Sequence, residues 1–136
     1  MVGAMTTAVL DRLYRVPGSQ LVGRLNAGLP AAIFPALAAR LDLPAKVLAA
    51  ALGLSERTLR NRKRRLTADE AERSFRAFRV FKRATAVLGD EDEARAWIST
   101  PQRALGERKP LDLLVRDVGA EEVLNVLAAI DDGGYL

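Results

Sequence analysis

Hydrophobic residues in the first part of the chain recur at the spacing of amphipathic helices. One short apolar face lies between residues 21 and 25, and a second lies between residues 31 and 41. Pro35 is near the start of the second segment, where a missing backbone N–H is tolerated, and Pro44 begins the next one. The pattern predicts three short helices that form a scaffold for the stretch after them.

The stretch 47–65 has the features of two short helices joined by a tight turn. Gly53 can adopt a positive φ where the first helix must end, and the small Ala49 lets the two helices approach closely. Ser55 has a side-chain oxygen that can cap the second helix, and Leu59 can pack that helix onto the first. This arrangement is typical of a helix-turn-helix.

The second of these helices is strongly basic, with six Lys or Arg between Ser55 and Arg65 against the single acid Glu56. We predict that Arg and Asn side chains of this segment reach base edges and that the following Lys and Arg side chains bind phosphates. The alternative is that the basic run is only a solvated helix face. The predicted DNA-binding residues are Ser55, Arg57, Thr58, Arg60, Asn61, Lys63, Arg64 and Arg65.

A long helix is predicted from the capping box formed by Thr67 and Glu70 to about Leu88, before Gly89. Its apolar residues form two strips, which indicates burial on more than one side. The simplest interpretation is a core spine that joins two halves of the protein; a dimer seam is the alternative. Its remaining face should be solvated, with some cations reaching DNA phosphates, and consists of Arg73, Arg76, Arg79 and Arg83.

The rest of the chain predicts shorter helices. Asp90 can cap the first of them, Trp97 is expected in the core, and Pro110 suits the first position of a helix after a Gly-bearing loop. Gly119 is expected to open the last helix, whose apolar face contains Val123, Val126, Leu127 and Ile130. The predicted division is a mobile or late-docking arm with one short amphipathic turn (1–18), a helix-turn-helix domain (19–66), and a long helix with a C-terminal domain (67–136).

Composition excludes several kinds of chemistry. The 136 residues include no cysteine and no histidine, so disulfides, thiol nucleophiles, imidazole bases and the commonest zinc ligands are absent. No apolar run approaches the roughly 20 residues that cross a bilayer, and the N-terminus lacks a secretory signal pattern. We therefore expect a cytoplasmic protein with no membrane partner, no metal and no cofactor.

Charge is distributed unevenly along the chain. Residues 1–83 hold 16 Lys or Arg and 6 Asp or Glu, a net charge of +10, whereas residues 84–136 hold 5 and 11, a net charge of −6. A basic half suits a polyanion, and an acidic half is free for a different partner. The asymmetry predicts two binding functions.

The order of features resembles a known family. The segments Ala94-Arg-Ala-Trp97, Ala104-Leu-Gly106 and Pro110-Leu-Asp-Leu-Leu114 are followed by Gly119, Val123 and Ile130-Asp-Asp-Gly133. Together with the helix-turn-helix and the long helix, this series is similar to the Xre/MbcA/ParS antitoxins, which accompany toxins with a RES domain. The resemblance extends from about Leu21 to the C-terminus, and Glu107 stands where a second glycine is common.

The resemblance implies an all-α protein in which a helix-turn-helix DNA-binding domain and a small helical toxin-binding module are joined by a long helix. It implies inhibition of a cognate RES-domain toxin, which consumes NAD or uses it for ADP-ribosylation, and repression at operator DNA. Because one domain offers few base contacts, we expect a homodimer on a palindromic or repeated site, within a larger toxin-antitoxin complex. The implied toxin-binding residues are Pro110, Leu111, Leu114, Val123, Leu127, Ile130, Asp131, Asp132, Tyr135 and Leu136.

The C-terminal tail has a chemical reason to enter a toxin site. A pocket that binds a dinucleotide pyrophosphate must be cationic, so Asp131, Asp132 and the terminal carboxylate of Leu136 would complement it, while Tyr135 fills an apolar subsite. A frayed, solvated end is the alternative.

Two other classes of function remain open on sequence alone. One is a stand-alone transcriptional regulator with a C-terminal dimerisation domain. The other is an enzyme, which we do not expect, because Asp112 and Asp117 lack a paired catalytic group, a phosphate-binding loop or metal-ligand spacing.

Overall fold

The computed structural model describes residues 2–60 and 65–133, with side chains from Ala8 onward. Within these residues the backbone forms only α-helices, 3₁₀ helices and their connections, and two isolated β-bridges; the predicted all-α class is confirmed. The α-helices are α1 (Val2–Tyr14), α2 (Gly18–Asn26), α3 (Ile33–Arg40), α4 (Ala45–Ala51), α5 (Glu56–Arg60), α6 (Ala68–Leu88), α7 (Glu91–Ile98) and α8 (Asp117–Asp131), and the 3₁₀ helices are Arg103–Leu105 and Pro110–Leu113.

The chain divides into two compact units, an N-terminal unit (Met1–Phe75) and a C-terminal unit (Arg76–Leu136). The long helix α6 begins in the first and ends in the second, as predicted. By this division the N-terminal unit has 12 Lys or Arg and 6 acids, net +6, and the C-terminal unit has 9 and 11, net −2. The polarity is weaker than a split at residue 83 indicates, because the cations of the second half of α6 belong to the C-terminal unit.

The N-terminal segment is a helix packed against α3, longer than the short turn that its apolar spacing predicts. Leu10 and Leu13 are buried, and the carboxylate of Asp11 accepts a hydrogen bond from Arg40 at 3.1 Å. Full burial of a leucine side chain contributes about 1.5–3 kcal/mol. Leu10 and Leu13, whose spacing predicts only one short turn, are thus buried in a full helix that packs against α3.

The core of the N-terminal unit comes from α3 and α4, where Ile33, Leu37 and Leu48 are fully buried, together with Leu52, the C-cap residue of α4. Pro44 is the residue before α4, so its missing N–H costs no helical hydrogen bond. The three predicted scaffold helices are therefore α2, α3 and α4.

Helix α6 begins with the predicted capping box. The Thr67 hydroxyl accepts from the Glu70 N–H at 3.2 Å, and the Glu70 carboxylate accepts from the Thr67 N–H at 2.8 Å. Both apolar strips of the helix are buried up to Ala84 and half-buried beyond it, and the helix ends at Leu88, before Gly89, which has a φ of 111°. The buried apolar residues are Ala71, Phe75, Ala77, Phe78, Val80, Phe81 and Ala84.

In the C-terminal unit, the Asp90 carboxylate caps α7 by accepting from the Glu93 N–H at 2.8 Å. Trp97 is half-buried, which makes it a boundary residue rather than a core one. Pro110 starts a 3₁₀ helix, and α8 begins at Asp117, two residues before the predicted Gly119. The fully buried side chains that pack these elements together are Phe78, Phe81, Leu105, Leu114, Val123 and Leu127.

Candidate DNA-contacting and partner-binding surfaces

The turn between α4 and α5 has the backbone geometry that the sequence predicts. Gly53 has a φ of 68°, its N–H donates to the Ala50 carbonyl at 3.2 Å, and the Leu54 N–H donates to the Ala49 carbonyl at 2.8 Å. These bonds satisfy carbonyls that the end of α4 leaves without helical partners. The glycine therefore ends one helix and redirects the chain into the next.

Helix α5 exposes the first part of the predicted DNA-binding set. The Ser55 hydroxyl accepts from the Thr58 N–H at 3.2 Å, and Leu59 is buried beneath the helix. Arg57 and Arg60 are exposed, as are Ser55 and Thr58. The pair between Arg60 and Glu56 is long, at 3.7 Å, and lies in solvent, so it restrains the guanidinium weakly. Asn61, Lys63 and Arg64 lie outside the described residues.

Arg65, predicted to bind phosphate, is attached to the protein's own backbone. Its Nε and Nη2 donate to the carbonyls of Ala27 (3.3 Å) and Gly28 (2.7 Å) at the end of α2. The Leu66 N–H donates to the Leu29 carbonyl at 2.7 Å, which holds the two segments together. Arg65 thus has a structural role that the basic run did not indicate, and its contact with phosphate stays a prediction.

The predicted solvated arginine face of α6 is mostly engaged within the protein, and this part of the prediction is wrong. In the N-terminal unit, Arg73 donates from Nη1 to the carbonyls of Leu52 (3.0 Å) and Gly53 (3.2 Å), and it pairs with Asp69 at 3.3 Å. A cation at these carbonyls also complements the negative end of the α4 dipole. Arg73 therefore stabilises the turn that orients α5.

Arg76 binds backbone carbonyls of the C-terminal unit, as Arg73 does in the N-terminal unit. Its Nη1 donates to the carbonyls of Leu114 (3.1 Å) and Val115 (3.0 Å), and its Nη2 pairs with Asp117 at 2.7 Å. Its side chain is only 12% exposed. Arg83 pairs with Asp131 at 3.4 Å, so of the four arginines only Arg79 is fully exposed. Sequence separations of 38 to 48 residues gave no local signal for these bonds.

The corner between the second 3₁₀ helix and α8 requires a glycine. A Cβ on Gly119 would overlap the Leu113 carbonyl oxygen and lie 2.9 Å from its carbonyl carbon. Real Cβ atoms do not approach backbone this closely, so α8 can pack here only without a side chain. Glycine is required at position 119 because a side chain would not fit, not because the backbone has a positive φ.

The loop before this corner is a tight reversal. Gly106 and Glu107 both have positive φ, 67° and 65°, and Gln102 and Arg108 form a bridge in which the Gln102 N–H donates to the Arg108 carbonyl at 3.0 Å. Glu107 thus holds the left-handed conformation, which costs a non-glycine residue free energy.

Much of the predicted toxin-binding set is buried within the C-terminal unit. Pro110, Leu111, Leu114, Val123 and Leu127 are buried side chains, so in this conformation they support the surface rather than form it. The family resemblance implied these residues as toxin contacts, whereas the structure places their side chains in the core of the unit. Ile130 is half-buried, Asp131 and Asp132 are exposed, and Tyr135 and Leu136 lie outside the described residues.

Two exposed valines mark the same end of α8 and were not predicted. Val118 is 76% exposed and Val115 is 37% exposed, on either side of Arg116. An apolar side chain this exposed in the first turn of a helix is available to a partner. The only feature of the sequence that could have indicated this exposure is that Val118 comes directly before Gly119.

Three observations on the described part of the chain concern other kinds of site. No group of three or more potential metal-ligating side chains occurs there, and none of its helices is long and apolar enough to cross a membrane. Asp117, considered as an acid or base, is paired with Arg76 at the start of α8.

The fold and these surfaces define a helix-turn-helix protein with a separate C-terminal helical domain. Residues 20–79 match an "Antitoxin Xre-like helix-turn-helix domain", and residues 83–133 match an "Antitoxin Xre/MbcA/ParS C-terminal toxin-binding domain". Both matches follow the order of the two structural units.

Three proteins similar to this chain share one name, Antitoxin Xre. A protein called Antitoxin Xre from Yersinia enterocolitica is 31% identical over 97% of this chain and 94% of its own length. One from Photorhabdus laumondii is 32% identical over 85% and 81%, and one from Pseudomonas putida is 34% identical over 57% and 50%. The chain belongs to the Xre/MbcA/ParS family of antitoxins.

Proposed function

We propose that this type II antitoxin binds and neutralises a cognate RES-domain toxin through its C-terminal unit and represses its own operon through its N-terminal unit. The observation that carries the proposal is the match of residues 83–133 to a toxin-binding domain, in a chain that aligns over nearly its whole length with an antitoxin. The same match favours an antitoxin over a stand-alone regulator. Antitoxins of this family are typically not enzymes, and we propose no catalytic role.

The proposed toxin contact uses the exposed residues at the two ends of α8. Val118 supplies an apolar contact at the start, and Asp131 and Asp132 supply carboxylates at the end. A toxin that binds NAD needs a cationic site for the pyrophosphate, so these carboxylates, with Tyr135 and Leu136, would occupy that site and block it. The five buried residues of the predicted set would act by holding α8 in place.

Co-expression with the adjacent open reading frame tests the toxin-binding proposal. We expect growth arrest by the neighbouring protein, relief by this chain, and a complex that co-purifies. Deletion of residues 132–136 should weaken relief and lower the melting temperature only slightly, since it removes the two capping hydrogen bonds that the Asp132 and Gly133 N–H groups donate to the last turn of α8. Asp112→Asn, which removes one exposed carboxylate elsewhere in the C-terminal unit, is the matched control. Full relief by the deleted chain would refute the blocking tail.

The proposed DNA contact uses the exposed face of α5. In this proposal Arg57 and Arg60 reach base edges; their exposure supports it, and so do the Ser55 cap and the buried Leu59, which fix the orientation of the helix. Loss of a bidentate arginine–guanine pair costs about 1–3 kcal/mol, or roughly 5- to 150-fold in affinity. Anisotropy titrations with labelled upstream DNA should show this weaker affinity for Arg60→Gln.

Arg103→Gln is the control for the DNA experiment, because it removes one exposed cation from the C-terminal unit. Equal affinities for Arg60→Gln and the wild type would mean that α5 is not the recognition helix. We also propose a homodimer, since one domain offers few base contacts and a two-fold repeated site doubles them. Light scattering of the purified chain would measure its mass directly, and a monomer at every concentration would exclude the homodimer.

A further inference from the structure

A cavity of about 290 Å³ in the N-terminal unit is lined by three arginines from three different segments. Arg12 comes from α1, Arg24 from α2, and Arg65 from the segment that leads into α6. Apolar residues such as Leu13 and Leu29 form the rest of the wall, and no described residue that lines the cavity is acidic. The cavity therefore concentrates positive charge without a carboxylate from its own walls.

Arg65 gives the cavity one cation in a fixed position. Its bonds to the Ala27 and Gly28 carbonyls hold the guanidinium at the end of α2 and use two of the five N–H donors that a guanidinium carries. A held guanidinium loses less side-chain entropy when it binds an anion, and its planar fork matches the oxygens of a phosphate. Arg12 and Arg24 are exposed at the rim and add two further charges.

The size of the cavity limits what it can hold. Pockets for drug-sized ligands occupy about 300–1,000 Å³, so this one is at the lower limit. It has room for a phosphate or pyrophosphate group, and because it opens to solvent the rest of a larger ligand, such as a DNA strand, can lie outside it. An anion would also relieve the mutual repulsion of three like charges around one space.

We propose that the cavity formed by Arg12, Arg24 and Arg65 is a phosphate-binding site. One source of the phosphate is the DNA backbone. Arg65 follows the end of α5 by five residues, so its Cα lies within roughly 18 Å of that of Arg60. The major groove is only about 12 Å wide, which puts a phosphate beside the groove within reach. The other source is free inorganic phosphate or pyrophosphate.

The test uses the full chain and two matched pairs of substitutions. Arg12→Gln with Arg24→Gln removes both rim charges, while Arg12→Lys with Arg24→Lys keeps them. Arg103→Gln with Arg116→Gln removes two exposed cations from the C-terminal unit and controls for net charge. Arg65 is left unchanged because its bonds to α2 are structural. Circular dichroism melts verify that each variant is folded.

Two measurements distinguish the sources. If the site binds DNA, the slope of log affinity against log salt should flatten in the rim glutamine variant only, by about one unit for each phosphate that this variant no longer neutralises, and the lysine pair should keep the wild-type slope. If the site binds free phosphate, calorimetry with pyrophosphate should give a binding isotherm for the wild type and none for the rim glutamine variant.

The proposal is overturned if neither measurement distinguishes the rim glutamine variant from the wild type. An equal change of slope in the control pair removes the DNA backbone as the source, and the absence of a pyrophosphate isotherm for the wild type then overturns the site as a whole. The DNA measurement alone depends on the proposed DNA-binding function. A wild-type chain that binds no DNA would refute that function. The pyrophosphate titration would still show whether the cavity binds phosphate.

Discussion

Replacement of Gly119 by alanine tests whether close packing fixes the corner before α8. Two effects of opposite sign compete. In an open helix the change from glycine to alanine stabilises by up to about 1 kcal/mol. Here the new Cβ would lie 2.9 Å from the Leu113 carbonyl carbon and closer still to its oxygen. The favourable distance between two non-bonded carbon atoms begins at about 3.5 Å.

The steric effect should dominate. The two atoms nearest to the Cβ belong to the backbone of Leu113, which cannot rotate away, and the third is the Leu113 Cβ at 3.2 Å, so α8 and the 3₁₀ helix must separate by roughly 0.6 Å or more. Such overpacking costs about 1–3 kcal/mol, and backbone contacts belong at the upper end of that range. With the gain in helix propensity subtracted, Gly119→Ala should lower the free energy of unfolding by about 2 kcal/mol.

Urea denaturation followed by tryptophan fluorescence is the appropriate assay, because Trp97 is the only tryptophan and lies half-buried in the C-terminal unit. Gly23→Ala is the matched control: Gly23 lies within α2, and a Cβ there would meet nothing within 4 Å. The control should be neutral or stabilised by up to about 1 kcal/mol. An equal or higher urea midpoint for Gly119→Ala would refute the steric argument.

Three further substitutions test features described above. Arg73→Gln should lower the free energy of unfolding by about 1–2 kcal/mol in a urea titration, because the Leu52 and Gly53 carbonyls lose a charged donor, while Asp69→Asn, which removes only an exposed pair, should change it by less than about 0.5 kcal/mol. Glu107→Gly should raise the melting temperature, corresponding to about 1 kcal/mol, by relieving the positive φ. Val118→Asp should leave folding unchanged and weaken the toxin complex at least tenfold in a pull-down titration.

Each of these has an outcome that contradicts it. Equal losses of stability for Arg73→Gln and Asp69→Asn would mean that the ion pair, not the carbonyl bonds, carries the effect. An unchanged melting temperature for Glu107→Gly would mean that the loop does not hold the left-handed conformation. Wild-type affinity of Val118→Asp for the toxin would exclude the start of α8 from the interface.

The features that the sequence predicted well are those set by local chemistry. The positive φ of Gly53, the Ser55 cap, the reciprocal bonds of Thr67 and Glu70, and the Asp90 cap each involve residues within five positions of one another. Backbone groups at helix ends need partners, and few residue types can supply them at these spacings. Such patterns can be read directly from a single chain.

The roles of the arginines could not be predicted in this way. Arg65, Arg73 and Arg76 each donate to carbonyls 20 to 39 residues away, and nothing in a basic helix face tells which side chains will meet such carbonyls. The toxin-binding set, which the family resemblance implied, meets the same limit, because neither a resemblance nor a spacing tells which residues of α8 face a partner. An apolar stripe in α8 has one spacing whether it faces a partner or the core, and here Val123 and Leu127 face the core.

The positions of Arg73 and Arg76 have a practical consequence for anyone who wants to study each half separately. One turn of α6 carries both residues, yet the first completes the N-terminal unit and the second completes the C-terminal unit. A DNA-binding fragment cut at residue 66 would lack the side chain that secures its own turn. The two recombinant fragments should therefore overlap along α6, the first continuing past Arg73 and the second beginning before Arg76.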